Sequence, residues 1–476
     1  MTTDAVRTSP AGAPGPSRAE APRRRRRRLL DLDAAVATGT TPSALVKPLE
    51  LSWWDWTVFL LHTATEIEHA LLVQYLYAAY SLADAGFLGA NVPANATSIT
   101  RRWRNTIIGI AREEMGHLLT EQNVLRFVDG PVNLDREDLP FRTGLYPFAF
   151  ELEPLSRVSL AKYVAAEMPA APDPAELPAD ELAEILALAE SATDGVPVNR
   201  VGALFDALVD VLDDPTKLTD ADLRPGSVSH QAPEDWSNFF GIIARLVTDR
   251  ADAVAAITDI GQEGEGSGTT TPPDRSHFAR FLTIFREFPA NDGVVGPDWI
   301  PTRSVPVNPT TLATPAGDAE LERGRITAPT TRLWAQLFDL RYRMLLTDLG
   351  HALRLDGPHD DPQGTRTIRG TLKDWTFDEM TVGLAGVGNV LTERPCKDQP
   401  GPDDPAVAGP PFEMPATLAL ADTEHAVWRL HLSLLDSSAE LIAAIRAAEG
   451  THDVLDALES SDAAARPFVT AQLAAT

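Results

Sequence analysis

Glu114 and His117 stand three residues apart in the run REEMGH, a spacing that puts both on one face of a helix where they can reach a single ion. Glu113 lies about 100° further round such a helix and points elsewhere. Glu66 and His69 repeat the spacing in TEIEHALLVQY. The neighbours are apolar (Ile67, Leu71, Leu72, Ile107, Ile110, Leu118), and a carboxylate buried among them is costly unless it is paired or bound to metal. Two Glu-and-His clusters on consecutive apolar stretches therefore point to metal ligation. For Glu66 and His69 a simple ion pair on a helix surface is the competing reading. Cys396 is the single cysteine, which excludes a thiolate metal cage, a Cys-x-x-Cys redox pair and an intramolecular disulfide. Any metal has to be held by imidazole and carboxylate, and a reducing cytoplasm fits that composition.

The elements needed to position these residues are helices. Residues 54–85 are proline-free and mostly apolar, the pattern of a helix buried on nearly all sides. A second stretch spans 101–127 and stops before Asp129-Gly130-Pro131. Shorter helical patterns follow at 159–168 and 201–212, separated by a Pro- and acid-rich insertion at about 170–199. Trp236 to Gly261 reads as a fourth long helix, followed by the irregular loop GEGSGTTTPPD and a helix at 276–288. Beyond a Pro/Gly/Thr-rich crossing, three more helices are expected at 331–353, 375–391 and 423–448, with His351, His425 and His431 placed singly on them. Strand patterns are almost absent, so the fold class is all-α. The expected organisation is a flexible basic tail (1–45), a four-helix bundle carrying the metal site (46–291), an extended linker (292–328) and a helical region packed on the bundle (329–476).

The chain has 476 residues and a formal charge of −27, from 41 Lys and Arg against 68 Asp and Glu. That acid excess disfavours nucleic acid and anionic membrane as partners. Arg23 to Arg28 form a run of six arginines in the tail, read as a solvated charge run. No run of 18 apolar residues offers a membrane span.

Helical bundles that hold two metals take one Glu from each of two helices and a Glu-x-x-His pair from each of the other two. EHALLVQY, with Glu68 seven residues before Tyr75, and EEMGH resemble the first two helices of ferritin-like proteins. EIEH with QYLYAAYSL, EEMGHLLTEQNVL, Glu167-Met168-Pro169, the GEG of Gly264 to Gly266 before SHFARF, and AGPPF at 408–412 resemble the ferritin-like family of iminophenyl-pyruvate dimer synthases, or chromopyrrolate synthases. The large N-terminal region of those enzymes has no counterpart in this sequence.

The resemblance implies two transition-metal ions, iron or alternatively manganese, held by Glu68, Glu114, His117, Glu167, Glu265 and His277. Glu66 stays open as an alternative to Glu68. Judged alone, Glu167 reads equally as a helix-end acid beside Pro169, Glu265 as a solvated turn residue, and His277 as part of a helix start after Ser276. Arg112 and Tyr75 are candidates for substrate binding, with a salt bridge and core packing as their plainer roles. The function so implied is a diiron oxidase or oxygenase using O2 or H2O2 on a small amino-acid-derived imino or keto acid in specialised metabolism. The competing functions are peroxide disproportionation at a dimanganese site and iron storage. The helices after the bundle are read as a pocket lid or a subunit interface, which leaves a homo-oligomer open.

Overall fold

The computed structural model describes residues 45–88, 92–138, 145–192, 198–232, 242–265, 275–290, 299–313 and 318–476. The basic tail, with Arg23 to Arg28, lies outside the described residues. Among those described, the chain forms thirteen α-helices, a few 3-10 turns, one π-helical segment and isolated bridges, but no sheet.

Helix α1 (Trp53–Ser81) starts at a capping box in which Ser52 and Asp55 satisfy each other's backbone amides, and it is buried on almost every side. Helix α2 (Ala96–Phe127) runs antiparallel to it: Trp54 Nε1 donates to Val128 O at 2.6 Å at one end, and Arg104 Nη2 donates to Leu82 O at 2.7 Å at the other. The other half of the bundle is made of interrupted helices. Helix α3 (Arg157–Glu167) starts beside the end of α1, where Leu155 N donates to Ser81 Oγ at 2.9 Å. After an insertion carrying α4 (Ala179–Ser191), helix α5 (Gly202–Leu212) continues towards the start of α1, so that Lys217 sits over the Trp53 ring. Helices α6 (Arg250–Glu265) and α7 (His277–Glu287) run together antiparallel to α2, ending where Trp103 Nε1 donates to Glu287 Oε2 at 2.8 Å. Both interruptions fall at one level of the bundle, the level of Glu167, Glu263 and His277.

The helix expected over Trp236 to Gly261 is observed only from Arg250 onward. Residues 242–248 are extended, helix begins only at Arg250, and 233–241 lie outside the described residues. The extended segment lies on α2, where buried side chains supply the partners a helix would have supplied internally. Thr120 Oγ1 accepts from Arg245 N at 3.0 Å, Asn123 Nδ2 donates to Arg245 O at 2.8 Å, and Gln231 exchanges two hydrogen bonds with the Val247 backbone. The approach is close enough that a Cβ on Gly116 would stand 2.6 Å from Ile243 O.

The chain then crosses the end of α1, with Ala83 N donating to Pro301 O at 2.8 Å and Arg303 N to Ser81 O at 2.7 Å, and makes the short helix α8 (Ala319–Gly324). A C-terminal layer follows: α9 (Pro329–Arg354), α10 (Ile368–Asp378), a π-helical segment (Glu379–Leu384), α11 (Ala385–Leu391), α12 (Glu424–Glu449) and α13 (Asp453–Ala475). Buried Arg341 ties it together through Asp462, Glu379 and Ser438. His351 and His431 do not stand singly: their rings are hydrogen-bonded at 2.9 Å, with Glu424 and Asp348 at the outer nitrogens. The layer packs on the outer faces of α1 and α2, where Leu72, Val73 and Tyr77 share a core with Phe338 and Leu345, and Leu118 and Leu119 share another with Met344.

Candidate metal centre

Inside the bundle five helices meet at one cluster of donors. Helix α2 presents Glu114 and His117 one turn apart, and His117 Nδ1 stands 2.8 Å from Glu114 Oε2. Helix α1 adds Glu68, whose Oε2 is 3.5 Å from the same nitrogen. Across the bundle, His277 at the start of α7 turns Nδ1 to Glu114 Oε1 at 3.1 Å and to Glu167 Oε2 at 3.6 Å. Glu263 on α6 reaches the other face of His117, Oε2 to Nε2 at 3.2 Å. Glu114 therefore stands between two imidazoles whose ring centres are 5.5 Å apart. One ligand atom from each of Glu114, His117 and His277 falls within a 4.8 Å span, a group that could hold a metal ion.

The unsatisfied atoms of this cluster fit a cation. Glu68 Oε2, Glu114 Oε1 and His277 Nδ1 are buried and have no aligned hydrogen-bond partner. Buried polar atoms are normally paired, and two carboxylate oxygens with an imidazole nitrogen form a hard oxygen and nitrogen donor set suited to a first-row transition metal. The centre encloses a cavity of about 10 Å³, roughly the room of one water-sized sphere. Gly264 keeps that space open, because a Cβ there would stand 2.8 Å from Glu167 Oε2.

The acids and imidazoles of the cluster shift one another strongly. Burial alone would push His117 down, but its contacts with Glu114, Glu263 and Glu68 hold it well above the ordinary imidazole value. His277 is likewise driven up against its burial, first by the charge of Glu114 and then by its contacts with Glu113, Glu114 and Glu167. Burial and then repulsion from Glu114 raise Glu68, while Glu114 is pulled down against burial by His277 and His117. Glu263 is lowered to about 2, His117 overcoming its partial burial. One turn beyond His117, Glu121 is fully buried with both carboxylate oxygens unpartnered, and burial followed by the charge of Glu68 raises it well above the ordinary carboxylate value.

Of the residues singled out by sequence, Glu68, Glu114, His117, Glu167 and His277 come together here. Glu265 closes α6, and its side chain lies outside the described residues. Glu66 faces away, accepting from the Tyr146 hydroxyl at 2.9 Å. His69 is not a surface partner of Glu66. It is buried at 2% exposure, with Nδ1 3.0 Å from Leu134 O and Nε2 bonded to the Tyr342 hydroxyl. A carbonyl only accepts, so Nδ1 carries the hydrogen and Nε2 receives that of Tyr342. Tyr75 lies in the bundle and donates to Glu167 Oε1 at 2.6 Å, packed on Tyr163 and Phe281. Arg112 is exposed on the opposite side of α2, so the two candidates for substrate contact do not face a common space.

Glu263 and Glu113 were not anticipated. Glu263 follows Ile260 by three residues and so continues the buried face of α6, a signal that requires the helix to run past Gly261. Glu113 is swung onto His277 Nε2 at 3.0 Å and held there by Arg280.

Residues 61–286 match the model of the ferritin-like family. Over 424 residues the chain is 25% identical to the dichlorochromopyrrolate synthase of Lentzea aerocolonigenes, a match covering 81% of this chain and 39% of that protein. The chain thus spans about two-fifths of the length of that curated relative. A solved ferritin-like protein from Caulobacter vibrioides aligns with 68% of this chain and 93% of its own at 17% identity, with a TM-score of 0.37. Among the described residues no helix is long and apolar enough to cross a membrane.

Proposed function

We propose that this chain, whose residues 61–286 match the ferritin-like family, is a dimetal oxidoreductase, with iron as the metal and a small amino-acid-derived imino or keto acid of specialised metabolism as the substrate. The observation that carries the proposal is Glu114, buried between His117 and His277 with one oxygen towards each ring. Glu68, Glu114, His117, Glu167, Glu263 and His277 would hold the ions, and Glu265 remains a proposed ligand. Redox-active ions bound there would relay electrons from the organic substrate, which is oxidised, to dioxygen or peroxide, which is reduced.

The chain's own residues set the conditions for that chemistry. Tyr75 fixes the Glu167 carboxylate through one short hydrogen bond, leaving Oε2 turned to the centre. Leu71, Phe205 and Ile260 line the small cavity and limit water around the acids. His117 and His277, both held above the ordinary imidazole value by the acids around them, would give up protons from the nitrogens that become ligands. Glu121, buried one turn away, is raised by that burial and by the charge of Glu68.

Elemental analysis combined with oxygen uptake tests the reading, with indole-3-pyruvate as the first keto acid. About two transition-metal ions per chain and uptake that requires the keto acid are expected. Rapid decay of peroxide without organic substrate would replace it with disproportionation, many irons per chain would replace it with storage, and protein purified without metal would end it.

A further inference from the structure

On the other side of the α1–α2 pair, between those helices and the C-terminal layer, lies a second cavity of about 440 Å³. Small-molecule sites usually enclose roughly 300–1,000 Å³ and are mostly apolar with a few converging polar groups. Leu72, Leu118, Leu345 and Leu349 form apolar walls, and the neutral His69–Tyr342 pair contributes to the lining. None of the donors of the metal centre lines it.

Two features make this more than a packing gap. First, one wall is the π-helical segment Glu379–Leu384, which contributes Met380, Thr381 and Leu384. Single π turns are rare and concentrate at functional sites. Here the Leu384 carbonyl accepts at 3.1 Å from Tyr80, itself a lining residue. Second, the charge is one-sided. In a chain of net charge −27, the lining holds Arg104, Arg112 and Lys373, and no Asp or Glu among the described residues. Arg112 is exposed and marks the open side, as do Thr381 and Asn389. Arg104 already donates to the carbonyls of Ala79 and Leu82, and the Lys373 ammonium lies 3.6 Å from Asp374 and 5.7 Å from the centre of the Phe377 ring. A cationic rim over an apolar interior is complementary to an anionic head on an apolar body.

We propose that this cavity is a binding site for an apolar monocarboxylic acid, its carboxylate at Arg112 and Lys373 and its body among the leucines. The site is separate from the metal centre and does not depend on the function proposed for it. Calorimetric titration of the full chain, metal-free and metal-loaded, with 4-phenylbutyrate, 4-phenylbutylamine and 4-phenyl-1-butanol tests it. One molecule of the acid per chain is expected to bind, at least ten-fold more tightly than the amine and equally in both metal states. Arg112→Gln with Lys373→Gln should weaken the acid at least ten-fold and leave the alcohol unchanged. Leu345→Trp and, from the π segment, Met380→Trp should each abolish binding while far-ultraviolet circular dichroism and metal content stay as in the parent. Absence of acid binding to the parent, equal affinity for acid and amine, or acid binding that survives both filling variants would overturn the assignment. Absence of metal from the same samples would count only against the redox function.

Discussion

The Tyr75 hydroxyl and the Glu167 carboxylate, from α1 and α3, form a 2.6 Å hydrogen bond with both side chains buried. Tyr75 can donate only one hydrogen, and it gives that to Oε1, so Oε2 is the oxygen left facing His277. Outer partners of this kind orient metal ligands, and their loss typically costs about 10–100-fold in affinity. Tyr75→Phe should therefore weaken metal binding by about that factor, measured by competition with a chromophoric chelator, with little change in helix content. Parental affinity in the variant would remove Glu167 from the ligand set.

Glu114 serves both imidazoles, so no other single carboxylate can substitute for it. Glu114→Ala is expected to lower metal from about two ions per chain to fewer than one, read by inductively coupled plasma analysis of protein purified alongside the parent. Full occupancy in this variant would contradict the central placement of Glu114 between His117 and His277.

Gly116 is a packing requirement independent of the metal. Gly116→Ala would press a methyl group onto the Ile243 carbonyl, and overpacking of this kind costs about 1–3 kcal/mol. Urea unfolding should show that loss, whereas Gly226→Ala, with nothing within 4 Å of the added carbon, should lie close to the parent.

Acid should destabilise the seam between the bundle and the C-terminal layer through His69. Its burial, and then the nearby charge of Arg136, lower it from 6.5 to about 3 in the folded chain. Between those values the unfolded chain holds the extra proton, so stability present above pH 6.5 falls as the pH drops towards 3, by about 1.4 kcal/mol per pH unit from this group. His69→Gln should flatten that part of the stability profile. An unchanged slope between pH 6 and 4 in the variant would show that other groups govern acid unfolding.

The all-helical class and the course of α1, α2, α3, α5, α7, α9 and α12 follow closely from apolar periodicity, because long buried helices write their burial into every turn. What escapes is structure whose partners are distant in sequence. Residues 242–248 read as helix because Ile242, Ile243 and Val247 are helically spaced, yet Thr120, Asn123 and Gln231 capture their backbone. Helix α4 is masked by the prolines around it, and α13, rich in Ala and Asp with Pro467 inside, buries few of its side chains. At the centre, the shared face of Glu114 and His117 is legible from spacing alone, whereas Glu68 enters only through the resemblance of EHALLVQY to a ferritin-like first helix. Glu263 is hidden by the early end assigned to α6, and the outer cavity is built from helices that no local pattern brings together.

The paired interruptions of the bundle have a consequence for assembly. The α1–α2 hairpin gathers Glu68, Glu114 and His117 by closing one modest loop, whereas Glu167, Glu263 and His277 arrive on half-helices separated from it by insertions. Long loops cost more entropy to close and slow the contacts that depend on them. The hairpin is thus expected to form first and the far half of the donor ring last, so that uptake of a metal needing all of these donors would report completed folding.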